Sequence, residues 1–285
     1  MEKIDMQGKI CLVTGSSSGI GEVTARELAR QGATVVMVCR NRTKGARVQQ
    51  EIQAATGNAN VDLLIADLAS LSDVQRLAGE FKQKYTRLHV LIQNAGGVSR
   101  EYKLTPEGYE MTFVVNYLAP FLLTQLLLDV LKASAPARII NVSSLAHTSG
   151  QIDFADLQGE KKYSTLKAYS QAKLALILFT YELARQLQGS GVTVNVLHPG
   201  VIASNFAQGL NGFMRVGWRL ISPFLSSVEK GAQTTLYLAT SPAVEGVSGK
   251  YFSNSKETPS SSSSYNEPLG QQLWQVSEAL IRVPA

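Results

Sequence analysis

Tyr169 and Lys173 are the two residues of this sequence whose types and spacing are best suited to acid–base chemistry. A tyrosine phenol has a reference pKa of about 10, too high for easy proton exchange at neutral pH. A lysine one helical turn further along lies on the same face, where its positive charge can stabilise the phenolate. The run LALILFTYELARQL after Lys173 is typical of a continuous helix that can hold both side chains rigidly. The pattern therefore predicts a tyrosine acid/base at position 169.

A second tyrosine and lysine, Tyr163 and Lys167, have the same spacing. Spacing alone does not reject them. Tyr163 follows GEKK in what reads as a loop, so the helix after Lys173 favours Tyr169 as the acid/base.

A glycine-rich segment, TGSSSGIG, joins the first apolar run to the first helical pattern. Glycines at positions 15, 19 and 21 permit a tight turn and let backbone N–H groups approach a pyrophosphate at a helix N-terminus. The same residues match G-x-S-x-G with Ser17 at the centre, the pattern of a serine-hydrolase nucleophile elbow. Such an elbow normally follows several strands, whereas this one follows the first. His198 and an aspartate remain available by spacing, so the hydrolase stays an alternative.

The end of the second apolar run discriminates between nicotinamide cofactors. A carboxylate there binds the ribose 2′-hydroxyl of NAD, whereas an arginine accommodates the 2′-phosphate of NADP. The sequence reads Arg40-Asn41-Arg42 and has no carboxylate at this place. The two guanidinium groups offer charge and bidentate donors, which predicts NADP(H) rather than solvated loop arginines.

These groups need a scaffold, and apolar runs alternate with helical patterns as far as about residue 250. The runs are Ile10–Thr14, Thr34–Cys39, Val61–Ala66, His89–Gln93, Arg138–Ser143, Val192–Leu197 and Lys250–Phe252. They are almost continuously apolar, as expected for strands covered on both faces. The alternation predicts an α/β fold: a single-domain, Rossmann-like, doubly wound parallel sheet of about seven strands with helices on both faces.

Two segments depart from this alternation of strands and helices. Met111–Leu131 is long enough to span a membrane, but its polar residues would be costly in contact with lipid and predict a buried helix instead. A subunit interface is one way in which such a helix could be buried. Residues 201–227 are predicted to be a lid over the substrate, and their aromatic content suggests a lipophilic substrate or, equally, lid core or oligomer contacts. The lid's large apolar residues are Phe206, Phe213, Met214, Trp218 and Phe224.

The predicted domain is residues 1–255, and residues 256–285 form a tail on the same domain. Within the tail, Lys256–Ser264 is serine-rich and predicted to be mobile, and Asn266–Ile281 is predicted to be a docked amphipathic helix.

Composition excludes several classes of protein. The net charge of +5 is a mild excess, and no basic cluster is interleaved with aromatics, so no nucleic-acid partner is expected. Cys11 and Cys39 lie in apolar runs and are expected to be reduced, and the three histidines lack metal-ligand spacing. The polar N-terminus has no signal-peptide pattern. We expect a cytoplasmic protein with no metal and no transmembrane segment.

In this order and spacing the motifs resemble the short-chain dehydrogenase/reductase family, over residues 8 to about 251. They are TGSSSGIG, Asn-Ala-Gly at 94–96, Asn116 in a helix, NVSS at 141–144, Tyr-Ser-Gln-Ala-Lys at 169–173 and Pro-Gly at 199–200. The stretches CRN, GEKKYSTLKAYSQAKLALILFTYELARQL and HPGVIAS are most similar to the retinol-dehydrogenase-like subgroup.

The resemblance implies a catalytic set of Asn116, Ser144, Tyr169 and Lys173. It favours Ser144 over its neighbour Ser143 as donor to the substrate oxygen. Asn116 resembles the family asparagine whose main-chain carbonyl holds a water that relays protons to the lysine. Pro120 has no N–H to bond that carbonyl and is expected to kink the helix; the alternative is an ordinary buried amide.

The resemblance also implies a cofactor site. Asp67 and Leu68 would flank the adenine, Asn94 and Ala95 the ribose, and the Pro-Gly turn the nicotinamide. The expected cofactor-binding residues are Gly15, Ser17, Ser18, Gly19, Ile20, Gly21, Arg40, Asn41, Arg42, Asp67, Leu68, Asn94, Ala95, Gly96, Tyr169, Lys173, Pro199, Gly200, Val201 and Ser204. Gln93 replaces the commoner asparagine before Asn-Ala-Gly, which leaves one strand-end hydrogen bond in doubt.

Together these features predict an NADP(H)-dependent oxidoreductase that interconverts a carbonyl and its alcohol. Hydride transfer to a carbonyl makes an alkoxide, which Tyr169 would protonate. We expect a homodimer or homotetramer acting on a lipophilic small molecule. Two alternatives remain: a serine hydrolase that uses the GSSSG turn, and a non-catalytic nucleotide-binding regulator, for which a damaged catalytic set would be expected.

Overall fold

Eight strands form one sheet in the order β3-β2-β1-β4-β5-β6-β7-β8 in this computed structural model, which describes residues 5–200 and 227–282. The strands are β1 (Ile10–Thr14), β2 (Thr34–Cys39), β3 (Val61–Ile65), β4 (Val90–Gln93), β5 (Ala137–Val142), β6 (Val192–His198), β7 (Tyr251–Ser253) and β8 (Lys256–Glu257). All neighbours are parallel except β7 and β8. The doubly wound α/β prediction is confirmed, and the additional strand is a two-residue antiparallel edge.

Helices connect the strands and cover both faces of the sheet. They are α1 (Gly19–Arg30), α2 (Arg42–Thr56), α3 (Leu71–Lys84), α4 (Met111–Phe113), α5 (Ala119–Lys132), α6 (Thr165–Gln186), α7 (Val228–Thr240) and α8 (Glu267–Ile281). A π-helical turn (Val114–Leu118) joins α4 to α5, and a 3-10 helix (Leu145–Ser149) follows β5.

Alternate residues of the strands point to opposite faces of the sheet, as the pleat requires. Leu12 and Leu91 belong to the core beneath α3, α5 and α6. Val13 and Ile92 belong to the core beneath α1 and α7. Both faces are apolar, which explains the nearly continuous runs in the sequence. Each predicted run has its ends within one residue of the observed strand.

The apolar stretch Met111–Lys132 is a single helical unit whose α4 and α5 parts meet at the π-helical turn. By length and composition alone it would pass as a membrane-crossing helix, yet 72% of its most apolar window is buried inside the protein. Tyr117 and Phe121 are completely buried in the core. This burial is what the sequence analysis predicted for the segment.

The prediction that the serine-rich segment is mobile was wrong. Strand β8 pairs with β7, and a 3-10 helix spans Ser262–Tyr265. The hydroxyl of Ser260 contacts those of Tyr181 and Ser264 at 2.7 and 2.6 Å. Composition did not reveal this order because the partners that satisfy the hydroxyl groups come from distant parts of the chain.

Helix α8 docks on α5 and α6, as its amphipathic pattern predicted. The ring of Trp274 lies 4.9 Å from that of Phe121 and 5.8 Å from that of Phe179, between centroids. The hydroxyl groups of Tyr117 and Ser277 hydrogen-bond at 2.6 Å in the buried interface. Helix α8 of the same chain thus covers the face of α5 for which the sequence analysis considered a subunit interface.

Candidate active site

The direction in which the chain adds strands reverses between β1 and β4: β2 and β3 follow β1 on one side, and β5 to β8 follow β4 on the other. In doubly wound sheets such a reversal opens a crevice at the carboxyl ends of the strands, where ligands bind. The glycine-rich loop follows β1, and the Asn-Ala-Gly segment follows β4. Thr14 joins the two, because its Oγ1 accepts hydrogen bonds from the N–H groups of Asn94 and Ala95, both at 3.0 Å.

The glycine-rich loop needs glycine for its backbone shape and for its close packing. Gly15 and Gly19 have φ angles of +67° and +61°, in the left-handed region. A Cβ on Gly21 would lie 2.4 Å from the carbonyl oxygen of Gly15 and 2.5 Å from Nδ2 of Asn94. The first turn of α1 is thereby brought against the end of β4, which leaves no room for a side chain there.

Helix α1 begins at Gly19, and Ile20 and Gly21 belong to its first turn. Ser18 is the N-cap, and its side chain makes no capping hydrogen bond. The first N–H groups of a helix have no partners within the helix, and they form the positive end of its dipole. This terminus is therefore suited to an anionic group of a cofactor.

Ser17, the central serine of the hydrolase alternative, hydrogen-bonds the thiol of Cys39. The histidines have other partners in the part of the chain that the structure describes. Ring nitrogens of His89, His147 and His198 bond to Ile10, to Ser144 and Ser261, and to Gly200, respectively. Ser17 thus lacks the histidine that would activate a nucleophilic serine.

At the end of β2, Arg40 and Arg42 are exposed, and Arg42 begins α2. Asn41 caps this helix, because its Oδ1 accepts from the N–H of Lys44 at 2.9 Å. The first turn of α2 has no acidic residue. Two guanidinium groups and a helix N-terminus therefore coincide at the place where the sequence predicts the 2′-phosphate.

The end of β3 lies beside this cluster. Nη1 of Arg40 is 3.8 Å from Oδ2 of Asp67, whose Oδ1 accepts from the N–H of Ala69 at 3.0 Å. Leu68 is 9% exposed and packs in the core. Of the two residues expected at the adenine, Asp67 has the accessible side chain, with 43% of its surface exposed.

Asn116 lies inside the π-helical turn and is completely buried. Its Nδ2 donates to the carbonyl groups of Gly97 and Thr112, both at 2.7 Å, and its Oδ1 accepts from the N–H of Gly97 at 3.2 Å. The side chain therefore fixes the segment after β4, and the main-chain carbonyl remains the group suited to hold water. Pro120, four residues later, has no N–H to donate to that carbonyl.

Gln93 makes the strand-end hydrogen bonds that its replacement of asparagine put in doubt. Its Nε2 donates to the carbonyl of Pro120 at 2.7 Å and to Oγ1 of Thr124 at 2.6 Å. The longer amide thus links β4 directly to α5.

The two neighbouring serines after β5 have different environments. Ser143 is buried, and its Oγ donates to the carbonyl of Lys173 at 3.0 Å. Ser144 caps the 3-10 helix Leu145–Ser149, with its Oγ accepting from the N–H of Ala146 at 3.2 Å. The side chain of Ser144 also hydrogen-bonds Tyr169. The geometry therefore brings Ser144, and not Ser143, to the tyrosine.

Tyr169 and Lys173 lie in the second and third turns of α6, one turn apart. Nζ of Lys173 is 5.7 Å from the centroid of the Tyr169 ring and donates to the carbonyl of Val142 at 2.9 Å. Burial lowers the pKa of Lys173 to about 7. Burial raises the pKa of Tyr169, and the hydrogen bond with Ser144 opposes that rise.

Gly96 completes this arrangement. A Cβ at this position would lie 2.8 Å from Oδ1 of Asn116 and 3.3 Å from Nζ of Lys173. The segment after β4 is therefore packed directly against two of the four predicted catalytic residues.

The rival pair, Tyr163 and Lys167, is not held in the same way. Tyr163 precedes α6, outside the helix, and its hydroxyl donates to the carbonyl of Ser99 at 2.9 Å. That hydroxyl also lies 3.3 Å from a carboxylate oxygen of Glu110. Burial raises the pKa of Tyr163. These contacts join the loop before α6 to the loop after β4.

The Pro-Gly turn follows β6 at the same edge of the sheet. Gly200 has a φ of +88°, and its N–H donates to Nδ1 of His198 at 3.1 Å. Val201 and Ser204, also predicted to bind the cofactor, lie outside the described residues, as does almost all of the predicted lid, including its five large apolar side chains.

Sequence reasoning missed two residues of the site. Thr14 belongs to the glycine-rich motif, but its role in joining β1 to the segment after β4 depends on strand order. His147 is buried, with 1% exposure, and its Nδ1 lies 2.7 Å from the carbonyl oxygen of Ser144. No spacing in the sequence indicated that contact.

The arrangement fits a dinucleotide and is that of a nucleotide-dependent oxidoreductase. Gly15 and Gly21 leave the backbone bare at the N-terminus of α1, and cationic groups stand at the end of β2. Among residues 5–200 and 227–282 there is no cluster of His, Cys, Asp or Glu that could hold a metal ion.

Comparison with known proteins identifies the family. Residues 9–214 match the short chain dehydrogenase family, to which this chain therefore belongs. The chain is 46% identical to human retinol dehydrogenase 11, over 99% of its own length and 88% of the relative's. It is 45% identical to mouse retinol dehydrogenase 12, over 98% and 88%. The resemblance to the retinol-dehydrogenase-like subgroup is thereby confirmed, and the chain is an oxidoreductase by family.

Solved structures agree with the fold. A putative uncharacterized protein from Mycobacterium paratuberculosis superposes with a TM-score of 0.80 at 32% identity, covering 98% of this chain and 96% of that one. RhlG from Pseudomonas aeruginosa, solved as an active-site complex with NADP, superposes with a TM-score of 0.72 at 28% identity, covering 88% and 97%.

Proposed function

We propose that this protein interconverts a lipophilic aldehyde or ketone and its alcohol with NADP(H), and that Tyr169 is the acid/base. The observation that carries the proposal is that Tyr169 has both partners at once: its side chain hydrogen-bonds Ser144, and Nζ of Lys173 lies 5.7 Å from the centroid of its ring. When bound, the cofactor supplies or takes up the hydride.

Each residue then has a defined task. The hydroxyl groups of Ser144 and Tyr169 hydrogen-bond one substrate oxygen, and Tyr169 gives its proton to that oxygen as it becomes an alkoxide. The charge of Lys173 stabilises the phenolate that is left. The Asn116 carbonyl holds a water that returns a proton towards Lys173.

The proposed preference for NADP(H) rests on Arg40 and Arg42. Both are exposed beside the N-terminus of α2, and a phosphate there would gain charge-assisted hydrogen bonds and the helix dipole. The RhlG complex contains NADP, which supports the same choice. Asp67 partly neutralises Arg40 at 3.8 Å, so Arg42 is expected to contribute as well.

The proposed substrate is lipophilic. Leu145, which follows Ser144, is 54% exposed, and Leu166, one turn before Tyr169 on α6, is 66% exposed. These apolar side chains adjoin the two groups that would hold the reacting oxygen. The names of the related retinol dehydrogenases point to a retinoid as the first compound to test.

We also propose a cytoplasmic, homodimeric or homotetrameric protein without a transmembrane segment. The two free, buried cysteines support a reducing compartment, and the burial of the apolar helix supports the absence of a membrane span. Any assembly would have to use a face other than the one that α8 covers.

Replacing Tyr169 by Phe tests the mechanism, with Tyr163→Phe as the matched control. We expect NADPH oxidation with a panel of ketones, long-chain aldehydes and retinal to fall about 10²- to 10⁴-fold in the first variant, because the proton donor is lost. NADPH binding, followed by its fluorescence, is expected to stay unchanged in both. Loss of turnover in Tyr163→Phe alone would transfer the role to that tyrosine.

Replacing Arg40 by Asp tests the choice of cofactor. We expect the Kd of NADPH to rise about 10- to 100-fold and that of NADH to change little, because a charged contact to the 2′-phosphate is lost. Arg47→Asp, at an exposed arginine paired with Glu51 on α2, is the control for a general change of charge. Equal weakening of both cofactors would argue against an NADP(H) enzyme.

A further inference from the structure

His147 lies in the 3-10 helix that Ser144 caps, and it contacts two separate parts of the chain. Its Nδ1 is 2.7 Å from the carbonyl oxygen of Ser144. Its Nε2 accepts a hydrogen bond from the main-chain N–H of Ser261 at 3.1 Å. The ring is 1% exposed and is therefore held between these two groups.

The two contacts fix the protonation of the ring. A carbonyl oxygen can only accept a hydrogen bond, so Nδ1 must carry a proton. A main-chain N–H can only donate, so Nε2 must be unprotonated. Both requirements are met by the same neutral tautomer. Burial also lowers the pKa of His147, which keeps the ring neutral at physiological pH.

The groups that face the ring leave this tautomer undisturbed. Tyr251 of β7 packs against it at 5.1 Å between centroids, and its hydroxyl is un-ionised because burial raises its pKa to about 12. His198, at the end of β6, is electrostatically coupled to His147, and burial is the main cause that lowers its pKa. Neither group carries a charge at neutral pH.

Ser261 is itself held in place by its neighbours. The hydroxyl of Ser260 contacts that of Tyr181 on α6 at 2.7 Å. The ring of Tyr265 stacks on that of Tyr181 at 5.4 Å. Oγ of Ser264 donates to the carbonyl of Ser261 and closes the turn. The N–H that reaches His147 therefore belongs to a segment anchored on the helix that carries Tyr169.

We propose that His147 is a positioning residue that transmits the placement of the segment around Ser261 to the main chain of Ser144. The inference rests on the proposed function, since it gives Ser144 a task in the reaction. The contact holds the main-chain carbonyl of Ser144, while the side chain of the same residue bonds Tyr169, so the serine hydroxyl keeps its direction. Residues 256–265 thereby belong to the active site although none of them touches the reacting groups.

Ser261→Pro removes the N–H that reaches His147 and also the hydroxyl, which contacts that of Ser263 at 3.2 Å. Ser261 has a φ of −63°, which proline adopts without strain, and its carbonyl is retained. We expect kcat for carbonyl reduction to fall roughly three- to tenfold, the effect of one lost hydrogen bond, with the KM for NADPH unchanged. Ser261→Ala keeps the N–H and is expected to match the parent protein. Equal kcat in the proline and alanine variants would overturn the proposal.

His147→Asn gives the second arm, because its amide can still donate to Ser144 but cannot reach Ser261. We expect it to lower kcat as much as Ser261→Pro does, and the double variant to be no worse than either. Additive losses would show two independent effects and would contradict a bridge from Ser261 through His147 to Ser144. A fall in thermal stability with kcat unchanged in both variants would reduce His147 to a structural residue.

Nitrogen NMR of the ring provides a test that does not depend on turnover. We expect a proton on Nδ1 and none on Nε2 in the parent protein, and a changed Nε2 signal in Ser261→Pro. The opposite tautomer would exclude the bridge whatever the activity. If the parent protein reduces no carbonyl, the proposed function fails, and this spectrum still decides whether the bridge exists.

Discussion

Lys173 is the residue at which function and stability oppose each other most clearly. It is 4% exposed, and its ammonium group has one main-chain carbonyl as a hydrogen-bond partner. Burial lowers its pKa from 10.5 to about 7. Between these two values the unfolded chain binds the proton more tightly than the folded one, so folding is penalised at neutral pH and the penalty fades as the pH rises.

Lys173→Met is therefore expected to stabilise the cofactor-free protein while abolishing turnover. We expect the free energy of unfolding near pH 7 to rise by about 1 to 3 kcal/mol, the relief of desolvation exceeding the lost hydrogen bond. Urea unfolding at about pH 7 and about pH 9.5 checks this, since the gain should shrink by more than half at the higher pH. A gain that is the same at both values, or a loss, would contradict this account of Lys173.

The limits of sequence reasoning also show at single residues. The pair Tyr169–Lys173 follows from helical spacing, which is local information. The choice of Ser144 over Ser143 required the direction of a side chain, because Ser143 donates to a carbonyl on α6. His147 contacts Ser261, which is more than a hundred positions away, and no local pattern reports such a contact.

At the scale of elements, α8 contributes to the core and not only to the surface. Trp274 packs against aromatic rings of both α5 and α6, and Leu273 is 1% exposed. The strands were predictable because they are short, almost continuously apolar runs, and this helix because its apolar residues recur at helical spacing. The π-helical turn around Asn116 was not, because a proline predicts a disturbed helix but does not specify where the extra residue is accommodated.

Trp274→Ala is expected to destabilise the protein by about 3 to 5 kcal/mol, because it leaves a cavity between three helices. Gln272→Ala, at an exposed position of the same helix, is the control and should stay within about 0.5 kcal/mol of the parent. Urea unfolding of both variants measures the difference. If the tryptophan variant were as stable as the control, α8 would not be part of the cooperative fold.

At the scale of the whole molecule, each of the three histidines has a ring nitrogen that accepts a hydrogen bond from a main-chain N–H group, which requires that nitrogen to be unprotonated. His89 accepts from the N–H of Ile10, His147 from Ser261 and His198 from Gly200. Burial lowers the pKa of each below the reference value of 6.5. The unfolded chain therefore binds more protons below pH 6.5 than the folded chain does, and stability is lost as the pH falls through this range.

We expect the urea midpoint to drop steadily between about pH 7 and about pH 5. His89→Asn isolates one contribution, because the asparagine Oδ1 can replace Nδ1 as acceptor for Ile10 without titrating. His89 lies at the amino-terminal edge of the sheet, far from the catalytic residues, so activity near pH 7 should be kept. A pH dependence identical to that of the parent protein would show that His89 titrates freely in the folded state.

The docking of α8 also has a consequence for biosynthesis. Residues 267–281 leave the ribosome after every strand of the sheet, and domains fold as their segments emerge. Until then Phe121 and Phe179 lack the tryptophan that covers them. The nascent chain therefore exposes an aromatic surface that favours aggregation. A premature stop codon before this helix would therefore yield a chain with a nearly complete catalytic sheet that chaperones and proteases recognise as unfinished.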